Sequence, residues 1–244
     1  MKKFQKDFMI EESKTDKISH HGYHRFYPWF LAHFQNKDIN LLEIGIDRTE
    51  SLKLWKGYFG KLNLHGLDID EKKFQDEEVT LHRVDQSNDV ELSLFVKNIG
   101  ITFDIILDDG SHVPNHQMLT INKLWDLVKP GGIYIIEDIE TSYWKRSSIY
   151  GYRFNAGKNG ILRNFYELVD VINTEFNKKI NRNLLIENFA EDVEMVTFAH
   201  NCIILVKKDH QSFNQYYNRD YKLKKKVNSR SIQNLLKRFL LKDL

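Results

Sequence analysis

The chain has 244 residues, 41% hydrophobic and 13% aromatic, enough to bury one sizeable core and too apolar for wholesale disorder. Its one cysteine, Cys202, excludes an internal disulfide framework, no stretch approaches the roughly 18 apolar residues of a membrane span, and the opening MKKFQKDFMIEESK has charges where a secretion signal needs an apolar run. The net charge of +2 hides an asymmetry, because Tyr221 to Leu244 carries eight Lys/Arg against Asp243 alone, +7, leaving −5 elsewhere.

Residues 1–38 read as a helical cap. There His20, His21 and His24 accompany Tyr23, Phe26, Tyr27 and Trp29, and the pattern predicts a short helix packed on the domain, with one or two side chains reaching its site. A domain over 39–210 follows, in which aliphatic and β-branched strands alternate with helical patterns, the mark of a parallel sheet with crossover helices. Strands are predicted at 40–46, 63–69, 80–85, 103–109 and 132–138. Helices are predicted at Ser51–Phe59, at His116–Val128, where Lys-Pro-Gly-Gly stops the pattern, and at Ile161–Phe176. VEMVTFAHNCIILVKKD, residues 193–209, reads as two strands about a tight turn at His200 and Asn201. Five parallel strands with a terminal antiparallel hairpin make an α/β, Rossmann-like, mostly parallel seven-stranded sheet, the architecture of class I methyltransferases. Residues 211–244 form a basic tail.

Ligands of open α/β sheets sit beyond the carboxyl ends of the strands near the first strand. There LLEIGIDRTES supplies Glu43-x-Gly45, the first half of an acid-x-Gly-x-Gly loop that lets backbone approach the methionine part of S-adenosylmethionine (SAM). Thr49 and Glu50 stand where later small residues usually lie. Asp68, ending the second strand, can accept both hydroxyls of a ribose. Asp85 and Gln86, ending the third, are placed to edge an adenine, and Asp108 is grouped with the same cofactor set. Each of these, read singly, is equally a solvated strand end or a helix cap.

LDDGSH, residues 107–112, and IED, residues 136–138, carry the chemistry. Consecutive strand residues face opposite ways, so Glu137 and Asp138 can share an ion only where the chain leaves the strand. With Asp109 on the neighbouring strand end, the expected metal set is Asp109, Glu137 and Asp138, an oxygen-only set that favours Mg²⁺ or Mn²⁺. Such an ion can chelate two neighbouring hydroxyls and acidify one. His112, three residues after Asp109, is the natural general base. The structural alternative, Asp108 and Asp109 capping a helix with Gly110 as the turn, explains one acid but leaves the second acidic pair without a reason.

Taken together, Thr15-Asp16-Lys17, His21-Gly22-Tyr23, LLEIGI, Asp85-Gln86-Ser87, LDDGSH with His116-Gln117, PGGIYIIED and Thr141-Ser142-Tyr143-Trp144 resemble bacterial metal-dependent sugar O-methyltransferases of the macrolide-tailoring type, related to cephalosporin hydroxylase-like methyltransferases. The resemblance spans about residues 15–207. It implies Mg²⁺ at Asp109, Glu137 and Asp138, with His112 and Asp109 catalytic. It implies closure of the amino-terminal segment over the cofactor through Tyr23 and Tyr27, and an acceptor pocket lined by Tyr143 and Trp144, with His116 beside them. A homo-oligomer is also expected.

The acceptor implied is a sugar-containing small molecule or glycan intermediate bearing two neighbouring hydroxyls. A catechol chelates Mg²⁺ in the same way and is the alternative within this chemistry. A nucleotide-sugar enzyme using NAD on a similar fold would want a full Gly-x-Gly-x-x-Gly, which is absent. In the tail, Ile232, Leu235, Leu236, Phe239 and Leu240 form a helical stripe flanked by Lys237, Arg238 and Lys242. It reads either as packing on the domain or a second subunit, or as a peripheral contact with the inner membrane face. Nucleic acid is not expected, since aromatic interleaving is thin there. The expected setting is cytoplasmic.

Overall fold

A computed structural model describes residue 8 and residues 14–47, 49–70, 79–144, 149–150, 161–174 and 183–211. The basic tail stripe at 232–240 therefore lies outside the described residues. No described helix is long and apolar enough to cross a membrane.

Seven strands form one sheet: β1 (Asp38–Ile44), β2 (Lys61–Asp68), β3 (Val79–Arg83), β4 (Phe103–Asp108), β5 (Val128–Glu137), β6 (Val193–Ala199) and β7 (Cys202–Lys207). Their order is β3-β2-β1-β4-β5-β7-β6. The first five strands run parallel, while β7 is antiparallel to β5 and β6 to β7. This is the predicted sheet with its terminal hairpin. The chain leaves β1 toward β2 on one side and has β4 on the other, so the switch point lies at the carboxyl ends of β1 and β4.

Both faces of the sheet are covered. Phe103 and Ile106 of β4, Tyr134 and Ile136 of β5, and Ile203 and Leu205 of β7 enter one core; Ile105 and Leu107, Ile133 and Ile135, and Cys202 and Ile204 enter the other. Both faces are thus buried over Ile105–Asp108 of β4 and Gly132–Glu137 of β5, which is why the two strands read as mostly apolar runs that end in acids. The first core is closed by α4 (Asp89–Asn98), α5 (Pro114–Leu124), α6 (Ile161–Tyr166) and α7 (Leu168–Ile172). The second is closed by α3 (Glu50–Tyr58) and the amino-terminal segment, with α1 (Asp16–Ser19), a 3₁₀ turn at Tyr23–Arg25 and α2 (Tyr27–Leu31). In that segment the Tyr23 and Tyr27 rings stack at 4.9 Å, and Phe8 meets Trp55 and Tyr58 edge-on.

Most element ends shift by one or two residues from the sequence expectation, and larger departures occur around α5, β5 and α6. The helix expected at His116–Val128 runs from Pro114 to Leu124, and Val128 already pairs with Phe103. Lys129-Pro130-Gly131-Gly132 belongs to β5, where Gly131 takes φ +73° and the register shifts before Ile133. The helix expected at Ile161–Phe176 breaks at Glu167 into α6 and α7, and its last residues lie outside the described ones. Helix α4 was not anticipated. It is capped by the Asn88 side chain, which accepts from the Val90 and Glu91 amides.

Candidate functional site

A cavity of about 820 Å³ opens over the carboxyl ends of the strands, a volume in the range of small-molecule sites. Its wall on the β1–β3 side is shaped by backbone. Gly45 leaves β1 at φ +81°, donating its amide to Leu67 O at 2.8 Å, and Asp109 N donates to Ile44 O at 2.9 Å. A Cβ on Gly45 would overlap the Asp109 carbonyl oxygen and Gly110 Cα, so only glycine fits where β1 and β4 close on each other. Asp47 at φ 37° and Thr49 at φ 64° continue the loop in left-handed conformations. Where glycines usually sit, this chain holds side-chain-bearing residues in glycine-like geometry, at a cost in backbone strain.

Asp68 braces that loop, its Oδ2 accepting from Ile46 N at 2.9 Å and its Oδ1 from Asp70 N at 3.0 Å. Ser87 donates to Asp85 Oδ1 from its hydroxyl and its amide, which hold the Asp85 carboxyl below its usual range. Gln86 bridges the two sides of the cavity: its Nε2 donates to Asp108 Oδ1 at 2.6 Å and its Oε1 accepts from Ser111 N at 2.8 Å. Gly45, Asp68, Asp85 and Gln86 all line the cavity.

On the β4–β5 side the wall is made of charge. Ligand atoms of Asp109, His112 and Asp138 lie within 4.8 Å of one another, the group among the described residues with the donors and spacing to hold a metal ion. Asp138 leaves β5 in the left-handed region, φ 54° and ψ 46°, which turns its carboxylate away from that of Glu137. Its Oδ1 accepts from Asn201 Nδ2 at 2.8 Å and from the Tyr23 hydroxyl at 3.1 Å, with His21 Nδ1 3.4 Å away. Burial pushes its carboxyl up, opposed by the nearby His112. His112 Nε2 lies 3.6 Å from Asp138 Oδ2, while its buried Nδ1 makes no hydrogen bond. His112 also has a positive φ of 55°, and its carbonyl accepts from Thr141 Oγ1 at 2.7 Å. Two strained residues facing each other across a cavity are the kind of geometry that functional sites retain.

Behind this wall stands Lys17. Its Nζ is 2.5 Å from Asp109 Oδ2, 2.6 Å from Glu137 Oε2 and 3.3 Å from Glu43 Oε1. Burial alone would lower the ammonium's pKa, but Asp109, Glu137 and Glu43 outweigh it and hold it well above the usual lysine range. One ammonium spread over three acids cannot neutralise them all, and burial drives the Glu137 and Glu43 carboxyls upward.

Several expected contacts fall elsewhere. Glu43 is fully buried, accepting from Ser51 Oγ and Trp55 Nε1 at 2.8 and 3.1 Å, so it anchors α3 to β1 instead of facing the cavity. Asp108 is buried beneath Gln86, and burial raises its carboxyl to about 7. Glu137, expected as a metal ligand, has its oxygens taken by Lys17 and by the Tyr27 hydroxyl and is not part of the cavity wall. Tyr23 reaches Asp138 from behind instead of lining the cavity. Tyr143 and Trp144 are 55% and 47% exposed and lie outside its wall, whereas His116, bonded to Ser111 Oγ at 2.9 Å, lies within it. Sequence reasoning gave Lys17 and Asn201 no role at the site. Lys17 stood in a quoted motif and Asn201 at the hairpin turn, but their partners are 92 and 63 residues away.

The sheet order, the cavity over its carboxyl edge and the glycine-hinged loop after β1 define a class I methyltransferase fold. Among known proteins, the chain is 34% identical over 139 residues to 8-demethyl-8-alpha-L-rhamnosyl tetracenomycin-C 2'-O-methyltransferase of Streptomyces olivaceus, covering 53% of this chain and 36% of that one. It is 36% identical over 132 residues to demethylmacrocin O-methyltransferase of Streptomyces fradiae, covering 50% and 33%. The crystallised MycE methyltransferase of the mycinamycin pathway, in complex with Mg and SAH, superposes with a TM-score of 0.67 at 25% identity, over 80% of this chain and 55% of that one. A further MycE complex that also holds mycinamycin VI matches at 26% identity with the same TM-score, over 80% and 54%. The chain spans about a third of the length of these curated relatives. No protein-family model matches it.

Proposed function

We propose that this chain is a SAM-dependent O-methyltransferase that uses a divalent ion, Mg²⁺ or Mn²⁺, to methylate a sugar hydroxyl with a second hydroxyl beside it. The observation that carries this reading is one cavity joining a nucleoside-type wall, Gly45, Asp68, Asp85 and Gln86, to the Asp109–His112–Asp138 cluster. The relatives named above are O-methyltransferases, one of them named for the 2' position of a rhamnosyl tetracenomycin, and the MycE crystals hold Mg and SAH, which supports the same chemistry here.

In this reading Asp68 accepts from the ribose hydroxyls and Gln86 edges the adenine. Asp109 and Asp138 would hold the divalent ion; carboxylate oxygens are the donors Mg²⁺ prefers, which leaves the imidazole of His112 free to act as a base. SAM supplies an electrophilic methyl group and the ion a Lewis-acidic contact for the two hydroxyls. His112 takes the hydroxyl proton at Nε2, and Asp138, 3.6 Å from that nitrogen, stabilises the imidazolium formed. His116 bounds the acceptor side of the cavity, and the exposed Tyr143 and Trp144 are proposed to meet the acceptor beyond its wall. Glu43, Asp108, Glu137 and Tyr23 act one layer back, by fixing the loop after β1 and the two metal-facing carboxylates.

The division into a cap (1–38), a catalytic domain (39–210) and a basic tail (211–244) is part of this proposal, as are a cytoplasmic setting, a homo-oligomer and acceptance of glycan intermediates. The tail stripe is proposed as a docking element for the domain, a second subunit or an anionic membrane. Vesicle binding that persists after deletion of residues 222–244 removes the membrane role. Calorimetry tests the cofactor assignment: SAM and SAH bind with a single site per chain and NAD gives no heat. NAD binding in preference to SAM overturns it.

A further inference from the structure

A second cavity, of about 720 Å³, opens among α4, α5, α6 and the chain around Leu184–Asn188, a volume that suits a small-molecule ligand. Its walls are fixed by bonds between elements. Asn122 Nδ2 on α5 donates to Leu185 O at 2.8 Å, Asn183 Nδ2 donates to Asn164 Oδ1 on α6 at 3.0 Å, and Lys123 Nζ on α5 lies 2.7 Å from Asp89 Oδ1 on α4. The side-chain amides of Asn115 and Asn188, and Nδ2 of Asn164, have no partner among the described residues, and all three residues line the cavity beside Tyr150.

This lining selects its ligand by chemistry. Asp89 and Lys123 are its charged residues and they neutralise each other, so neither an anion nor a cation is favoured. Each free amide presents hydrogen-bond donors and an acceptor in one plane, a match for hydroxyls, which donate and accept at once. Met118 and Leu119 of α5, with the Tyr150 ring, supply apolar surface for the C–H faces of a sugar ring. The cavity also adjoins the methylation site. His116 lines the first cavity and its neighbour Asn115 the second, so the two flank the amino end of α5. The chain that leaves Asp138 in the first wall reaches Trp144, whose half-exposed ring meets that of Tyr150 in the second at 5.0 Å.

We propose, resting on the sugar O-methyltransferase reading, that this second cavity is an acceptor subsite for a neutral sugar unit linked to the one being methylated. The acceptor is then a glycan or glycoside of at least two sugars. The subsite acts through binding: a linked sugar held there lowers KM and leaves the methyl-transfer step unchanged.

Transfer of a labelled methyl from SAM, with Mg²⁺ and the full chain, tests this on three matched pools of acceptors. These are methyl glycosides of monosaccharides with adjacent hydroxyls, di- and trisaccharides of the same sugars, and the same monosaccharides on phenyl or octyl aglycones. The oligosaccharides are expected to show kcat/KM higher than either monosaccharide pool by about tenfold or more. Asn115→Ala/Asn188→Ala, which trims two exposed side chains, is expected to cancel that advantage through KM while kcat/KM for the methyl monosaccharides stays within about twofold. Oligosaccharides no better than monosaccharides, an advantage that survives in the variant, or a variant that slows all pools equally overturns the subsite and leaves the methyl-transfer reading standing. An equal or larger advantage for the phenyl or octyl glycosides assigns the cavity to an apolar aglycone and overturns it as well. No transfer to any acceptor in the three pools overturns the sugar O-methyltransferase reading and this inference with it.

Discussion

The two sides of the cavity are built from different materials. On the β1–β3 side, shape comes from backbone: a glycine at φ +81°, two side-chain-bearing residues in the left-handed region, and carboxylates spent on bracing amides. On the β4–β5 side it comes from charge, with Asp109, Glu137 and Asp138, and Glu43 of β1 behind them, held by one lysine, two tyrosines, a histidine and an asparagine. The first arrangement suits a ligand recognised by shape and a diol, and the second suits a cation and a proton. A substitution on one side should therefore damage binding, and on the other catalysis.

The sharpest break of this contrast is His112→Ala. It is expected to lower kcat by about 10² to 10⁴ while leaving the SAH dissociation constant within twofold, measured by single-turnover methyl transfer and by calorimetry. A comparable loss of SAH affinity would erase the distinction between the two sides. Gly45→Ala is the converse. The overlap with the Asp109 carbonyl and the positive φ should cost about 1–3 kcal/mol in urea unfolding and weaken SAH binding at least tenfold; native-like SAH affinity in this variant contradicts the backbone account.

The smallest effect concerns pH. His65 on β2 and His82 on β3 stack at 5.3 Å and share a 3.0 Å contact, and burial with the His82 charge lowers His65 to about 4. A histidine depressed on folding contributes its full stability above the unfolded value near 6.5 and loses it as pH falls toward 4, because the unfolded chain takes up the proton first. Urea midpoints should fall between pH 7 and pH 4.5, by at most about 3 kcal/mol from this residue. His65→Gln should flatten that slope, and an unchanged slope would contradict the assignment of this acid sensitivity to His65.

These two sides were not equally legible in the sequence. β4 and β5 announced themselves because burial on both faces leaves Ile105–Leu107 and Ile133–Ile136 without a charged residue before the acids that end them, and Asn201 in the hairpin adopts φ 59°, a conformation asparagine tolerates. Helix α4 escaped notice because Val90 and Leu94 are 65% and 52% exposed, which blurs the apolar stripe of Leu92 and Phe95. Asp68, Asp85, Gln86 and Gly45 were readable from strand ends alone. The orientation of Glu137 was not: it depends on an ammonium 120 residues earlier in the chain and on a left-handed turn at Asp138, neither of which a local pattern encodes.

The central claim is that Asp109, His112 and Asp138 together form a metal-assisted proton-abstraction site facing a SAM pocket. Its most direct test is transfer of a labelled methyl from SAM to a glycoside carrying adjacent hydroxyls, with Mg²⁺ and with chelator, in the unmutated chain and in Asp138→Asn. The account predicts transfer that chelation abolishes, that Mg²⁺ restores, and that falls at least a hundredfold in Asp138→Asn while SAH still binds. Transfer indifferent to chelator and to Asp138 would contradict it.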